Sequence, residues 1–82
     1  MKAKRTLGKA RTSPASLRFS ETRALAEAAG FHLSRVSGSH HIFTHPGLPE
    51  LLNLQEVHGM AKPYQVRQLL RLMERYNLLV QD

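Results

Sequence analysis

Apolar positions between Pro63 and Asn77 recur at helical spacing: Val66, Leu69, Leu70, Met73, then Tyr76 or Asn77. This i, i+3, i+4, i+7 rhythm predicts an amphipathic helix. Pro63 suits its first turn, where the missing N–H is not needed. A second helix is predicted from Ser20, a good N-cap, with Glu21 at the positive end of the dipole. Its body, "ETRALAEAA", is rich in helix formers, and Gly30 sits where a C′ glycine belongs. Leu25, Ala28 and Ala29 give that helix only a thin apolar stripe, so it must pack on another element. Between the helices, "FHLSRV", "SGS" and "HHIFTH" read as a β-hairpin. Pro46, Gly47 and Pro49 then break the chain. "LLNLQEV" supplies a third strand whose register stays open, because Leu51, Leu52 and Leu54 do not alternate.

The predicted order is helix, strand, strand, strand, helix. An antiparallel sheet with both helices on one face buries both stripes, which makes the fold class α+β. This α-β-β-β-α order is the layout of double-stranded-RNA-binding domains, and layout alone does not fix function. At 82 residues the chain holds one domain at most. Residues 19–82 are assigned to it.

Charge divides the chain differently. Residues 1–18 carry Lys2, Lys4, Arg5, Lys9, Arg11 and Arg18 with no acid, whereas residues 19–82 carry as many acids as bases. The formal net charge of +6 therefore belongs to the opening segment. With few large apolar residues, and with Gly8 and Pro14, that segment reads as a disordered or loosely attached basic tail, either a solubilising extension or an arm for RNA. There is no cysteine, which removes disulfides and thiolate metal sites and suits a reducing cytoplasm. No apolar run approaches the roughly 18–20 residues of a membrane helix, and no signal-peptide segment follows the basic start.

Three of the five histidines fall within "SGSHHIFTHP". Strand geometry sends His40 and His41 to opposite faces, with His41, Phe43 and His45 on one and His40, Ile42 and Thr44 on the other. Which face meets the helices is open at this point. A metal site needs three or four converging ligands, and His41 and His45 stand about 13 Å apart along a strand. No metal and no cofactor is expected. Proton transfer is the better fit, since an imidazole exchanges a proton near neutrality. RNA cleavage needs little else: a base for the 2′-OH, a proton for the leaving 5′-oxygen, and cations beside the phosphorus. Arg35 is a candidate bidentate phosphate contact, or a partner for Glu50 or Glu56. Lys62, at a helix N-terminus, opposes the dipole unless an anion lies between. Arg67, Arg71 and Arg75, four apart, form either a solvated row or a docking stripe for phosphates.

"GFHLSRVSGSHHIFTHP" resembles the signature of the HicA toxin family, a glycine and an aromatic followed by Arg-x-x-Gly-Ser-His-x-x-aromatic. The matching positions are Gly30, Phe31, Arg35, Gly38, Ser39, His40 and Phe43, and the stretch from Leu51 to Leu78 resembles the C-terminal half of a HicA-like subgroup. The resemblance implies a toxin with a dsRBD-like fold that cleaves mRNA in the cytoplasm and is held inactive by a HicB-type antitoxin protein. It carries the family's catalytic histidine to His40, after a glycine turn in which Gly38 and Ser39 offer backbone N–H groups to a phosphate. His58 is a candidate second histidine, although "EVHG" and "KPYQ" depart from the family's common pattern there. The reading is therefore a metal-independent endoribonuclease toxin with Arg35, Gly38, Ser39, Lys62, Arg67 and Arg71 as RNA or phosphate contacts. The alternative is a non-catalytic RNA-binding or protein-interaction module of the same layout.

Overall fold

A computed structural model describes residues 2–81. Its elements run α1 (Ala3–Thr12), a 3-10 turn (Pro14–Ser16), α2 (Phe19–Ala28), β1 (His32–Ser37), β2 (His40–His45), β3 (Leu48–Val57), β4 (Met60–Ala61) and α3 (Pro63–Arg75). The fold is α+β, and α2 through α3 supplies the dsRBD-like order. Among the described residues four strands are present rather than the three expected, and three α-helices rather than two.

The segment expected to be a disordered tail contains α1, and this is the largest departure. Ala3, Thr6 and Ala10 are buried and Leu7 is partly so. These four residues hold i, i+3, i+4, i+7 spacing, the rhythm of one helical face. The face is made of small side chains, so α1 lies close against α2, α3 and the 3-10 turn. Lys9 Nζ adds an ion pair to Glu21 on α2 at 3.1 Å.

Helix α2 begins one residue before the expected cap at Ser20. Arg18 is the N-cap, and its backbone N–H donates to Glu21 Oε1 at 2.9 Å, the reciprocal half of a capping box. That bond, reinforced by Lys9, holds the Glu21 carboxyl below the ordinary carboxylate value. The early start follows from Phe19, which is buried and whose N–H donates to the Gly59 carbonyl. Ala28 is exposed; Phe19, Thr22, Leu25, Ala26 and Ala29 form the buried stripe. At the other end Gly30 N–H bonds to Glu27 and Phe31 N–H to Ala26, a Schellman closure with Gly30 at φ 101°.

The strands form one antiparallel sheet in the order β1-β2-β3-β4. Gly38 and Ser39 join β1 to β2, with Gly38 at φ 59°, the hairpin-turn position that glycine fills without strain. Phe43 faces Leu33 and Leu52 across its two neighbours and is fully buried, as are Leu52 and Leu54. The Phe43 face therefore meets the helices, and each such side chain contributes about 1.5–3 kcal/mol. Leu51 points the other way and is exposed, which resolves the register that three leucines left open. The fourth strand is short. It pairs Glu56 with Ala61 and Val57 with Met60 through a His58–Gly59 turn, and Arg18 bridges to Met60 on its far side.

Helix α3 turns Gln65, Val66, Leu69, Leu72 and Met73 inward. Beyond the short fourth strand, the edge of β3 is closed by a side chain. The buried Gln65 accepts the Gln55 backbone N–H at 2.7 Å and donates to Gln55 Oε1 at 3.0 Å. Near the start of β3, Glu50 accepts from Arg75 and from the Tyr76 hydroxyl. Together these contacts run α3 antiparallel to β3. The helices cover one face of the sheet, and the opposite face is open.

Candidate functional site

The register assigns each histidine of β2 to a face. His41 and His45 share the helix-side face with Phe43. His41 lies 4.6 Å from the Phe19 ring centroid, and its Nδ1 donates to the Ser39 carbonyl. His45 meets Phe31 edge-on at 5.1 Å. Its Nδ1 accepts the Gly47 N–H at 2.9 Å, and its Nε2 lies 3.1 Å from the Ala29 carbonyl. A carbonyl only accepts and an N–H only donates, so His45 is the neutral Nε2–H tautomer, with both nitrogens used. It serves the joint between α2 and β1.

His40 stands on the open face and is exposed. Its Cα partners are Ser37 on β1 and Gln55 on β3. In the adjacent row, Arg35 on β1, Ile42 on β2 and Asn53 on β3 are aligned. Arg35 and His40 are thus diagonal neighbours on one face, about 7–8 Å apart at the backbone and within reach of a long side chain. Lys62 follows Ala61, the partner of Glu56, in extended conformation, so the chain leaves the sheet beside Gln55. The Lys62 backbone thus stands at the sheet's edge, two strand spacings or about 10 Å from His40.

Asn53 is the neighbour that sequence reasoning missed. Its Oδ1 lies 3.2 Å and its Nδ2 3.1 Å from His40 Nδ1. Thirteen residues separate the two in sequence, so only the strand register could have revealed the contact. The bond holds one ring nitrogen and leaves Nε2 toward solvent.

The cations of the molecule differ in their pairing. Among the described residues the ion pairs are Lys9–Glu21, Arg23–Glu27 and Arg75–Glu50. Arg75 thus leaves the arginine row expected on α3, with its charge matched by Glu50, whose carboxyl is held below its ordinary value by the Tyr76 hydroxyl and then by Arg75. Arg35, Lys62, Arg67 and Arg71 have no carboxylate partner among the described residues. Neither Glu50 nor Glu56 pairs with Arg35. His58 is set apart: it occupies the β3–β4 turn at φ 53°, exposed, about 10 Å along β3 from Gln55. Gly38 and Ser39 form the turn immediately before His40. Among the described residues no three His, Asp or Glu side chains converge as a metal-holding group, and no helix is long and apolar enough to cross a membrane.

Two surface grooves lie elsewhere, one lined by Glu50, Gln68, Arg71 and Leu72, the other by Leu7, Leu70 and Leu79. His40 is in neither; it sits exposed on the open sheet face, with Arg35 diagonal to it. Such a surface suits an extended polyanion better than a small molecule, which pockets enclose. No curated protein matches the chain. Residues 19–74, from the first residue of α2 to the last turn of α3, match the family model described as HicA toxin of bacterial toxin-antitoxin. With more than half its length in that match, the chain belongs to the HicA toxin family.

Proposed function

We propose that this toxin is an endoribonuclease that cleaves mRNA in the cytoplasm, with His40 as its acid–base residue, and that a HicB-type antitoxin protein silences it. The observation that carries the reading is His40 itself: an exposed imidazole with one nitrogen held and the other open, on a face with unpaired Arg35 and with unpaired Lys62 at the sheet's edge. In the proposed step Nε2 of neutral His40 takes the proton of a ribose 2′-OH. The 2′-oxygen forms a bond to the adjacent phosphorus and the P–O5′ bond breaks. Water at the open face protonates the departing O5′, and His40 returns its proton to solvent. The products are a 2′,3′-cyclic phosphate and a 5′-hydroxyl. Arg35 and Lys62 offset the charge that builds on the non-bridging oxygens. The Gly38 and Ser39 backbone steadies the same phosphate, while Arg67 and Arg71, carried by α3, stand outside this step and contact RNA away from the cut. This step needs no metal, and His58 stands outside it.

The test is purified toxin with end-labelled RNA, in the presence of EDTA. Cleavage should leave cyclic phosphate ends, spare RNA with a 2′-deoxy residue at the cut site, and disappear in His40→Ala. Equal cutting by that variant overturns the assignment. Salt-sensitive binding without any cutting by the wild type identifies the alternative, a non-catalytic RNA-binding module.

A further inference from the structure

We propose that Asn53 is a positioning residue for His40, and that the rotation of its side-chain amide selects which nitrogen of the imidazole carries the proton. The proposal rests on the assignment of His40 as the acid–base residue. Among the described residues, Asn53 is the one hydrogen-bond partner of the His40 ring. It reaches the ring from the diagonal position on β3, since the residue directly opposite His40 is Gln55. Asn53 is half-buried, so its backbone is anchored in the sheet while its amide lies against the ring.

The amide presents an acceptor and a donor to Nδ1 at nearly equal distances, 3.2 Å for Oδ1 and 3.1 Å for Nδ2. With Oδ1 turned to the ring, Nδ1 carries the proton and Nε2 offers a lone pair, which is the base the first half of the step requires. The imidazolium keeps the same bond after it accepts the 2′-OH proton. With Nδ2 turned to the ring, Nδ1 accepts and neutral His40 carries its proton on Nε2, the form that can donate but not take a proton. Other groups near the ring do not compete for Nδ1. Arg35 approaches from β1 and Lys62 from beyond β4. Glu56 follows Gln55 on β3 but points to the other face, and His58 lies in the turn beyond. None is bonded to the ring. A neutral amide at position 53 orients the ring without fixing a charge on it, as a carboxylate would.

The experiment has a spectroscopic arm and a kinetic arm, both on the full chain. Nitrogen-15 NMR of the His40 imidazole, recorded across pH without RNA, reads tautomer and titration directly. Asn53→Ala should change the His40 tautomer ratio, and Asn53→Asp should move its titration to higher pH, because a carboxylate stabilises the imidazolium. In the cleavage assay Asn53→Ala should lower kcat by roughly tenfold or more, a part of the about 10²–10⁴-fold that a positioned acid–base group supplies. KM for RNA should stay within about twofold. Asn53→Asp should recover part of kcat and shift the acid limb of the pH–rate profile upward. If the His40 nitrogen signals are unchanged in both variants, the positioning role is overturned. Wild-type protein that cuts no RNA removes the nuclease reading, while the NMR arm still decides whether residue 53 governs the ring.

Discussion

His40 and His41 are neighbours in the chain, yet β2 sends them to opposite faces with opposite consequences. On the inner face, His41 lies against Phe19 with a nitrogen bonded to the Ser39 carbonyl, and His45 has both nitrogens engaged by backbone. On the outer face, His40 has one nitrogen held by a side chain and the other in water. Of the inner pair, His45 with both nitrogens bonded works as mortar for the fold, and His41 joins it by packing its ring against Phe19. An outer imidazole with a spare lone pair is available for chemistry. The difference teaches that a cluster of histidines in sequence need not be a cluster in function, because a period of two divides it before any chemistry begins.

Substitutions that separate the faces put this contrast to the test. The largest effect belongs to His40→Ala: RNA cleavage should fall by about 10²–10⁴-fold, while the unfolding midpoint in urea barely moves, since surface changes rarely exceed about 0.5 kcal/mol. A large stability loss in that variant would blur the division. Phe43→Ala, on the inner face, should do the reverse. It should destabilise the fold by about 3–5 kcal/mol, with cleavage per folded molecule preserved when measured well below the midpoint. His45→Ala is the sharper comparison, because it alters the same residue type on the same strand. Leaving the Ala29 carbonyl and Gly47 N–H without their partner should cost about 1–3 kcal/mol; loss of cleavage in well-folded His45→Ala protein would show that the faces are not independent.

The smallest effect is expected where β3 meets α3. Glu50 is held below the ordinary carboxylate value by the Tyr76 hydroxyl and by Arg75. A depressed folded-state value stabilises the protein above the unfolded value and is lost as pH falls through the folded one. Thermal melts should therefore decline as pH drops below about 4.5. Glu50→Gln should flatten part of that decline, and Glu21, lowered by its bond from the Arg18 N–H, contributes in the same direction. An unchanged acid profile in Glu50→Gln would remove this contact from the account.

Much of the architecture is written in local signals. The α3 rhythm, the Gly30 closure of α2 and the Gly38 turn depend on residues within one or two turns of each other, and they appear where the sequence puts them. Helix α1 was hidden because its buried face is Ala3, Thr6 and Ala10 with Leu7, residues whose spacing is helical but whose hydrophobicity is slight. The fourth strand was hidden by its two-residue length, and its hairpin turn carries a histidine at positive φ where Asn or Asp is the usual signal. For the site, His40, Arg35 and Lys62 were legible as residue types; that Arg35 shares the His40 face depends on the β1–β2 register with its shift between Leu33 and Arg35, and the place of Lys62 depends on β4. Asn53 was not legible, because its contact depends on a register fixed only when Leu52 and Leu54 are buried together.

The contact between Gly30 and His45 couples two positions far apart in the chain. A methyl group at position 30 would stand 2.7 Å from His45 Nε2, so the ring occupies the space a side chain would need. Alanine at 30 therefore meets two obstacles, the imidazole and a backbone at φ 101°, and a smaller residue at 45 would lift only the first.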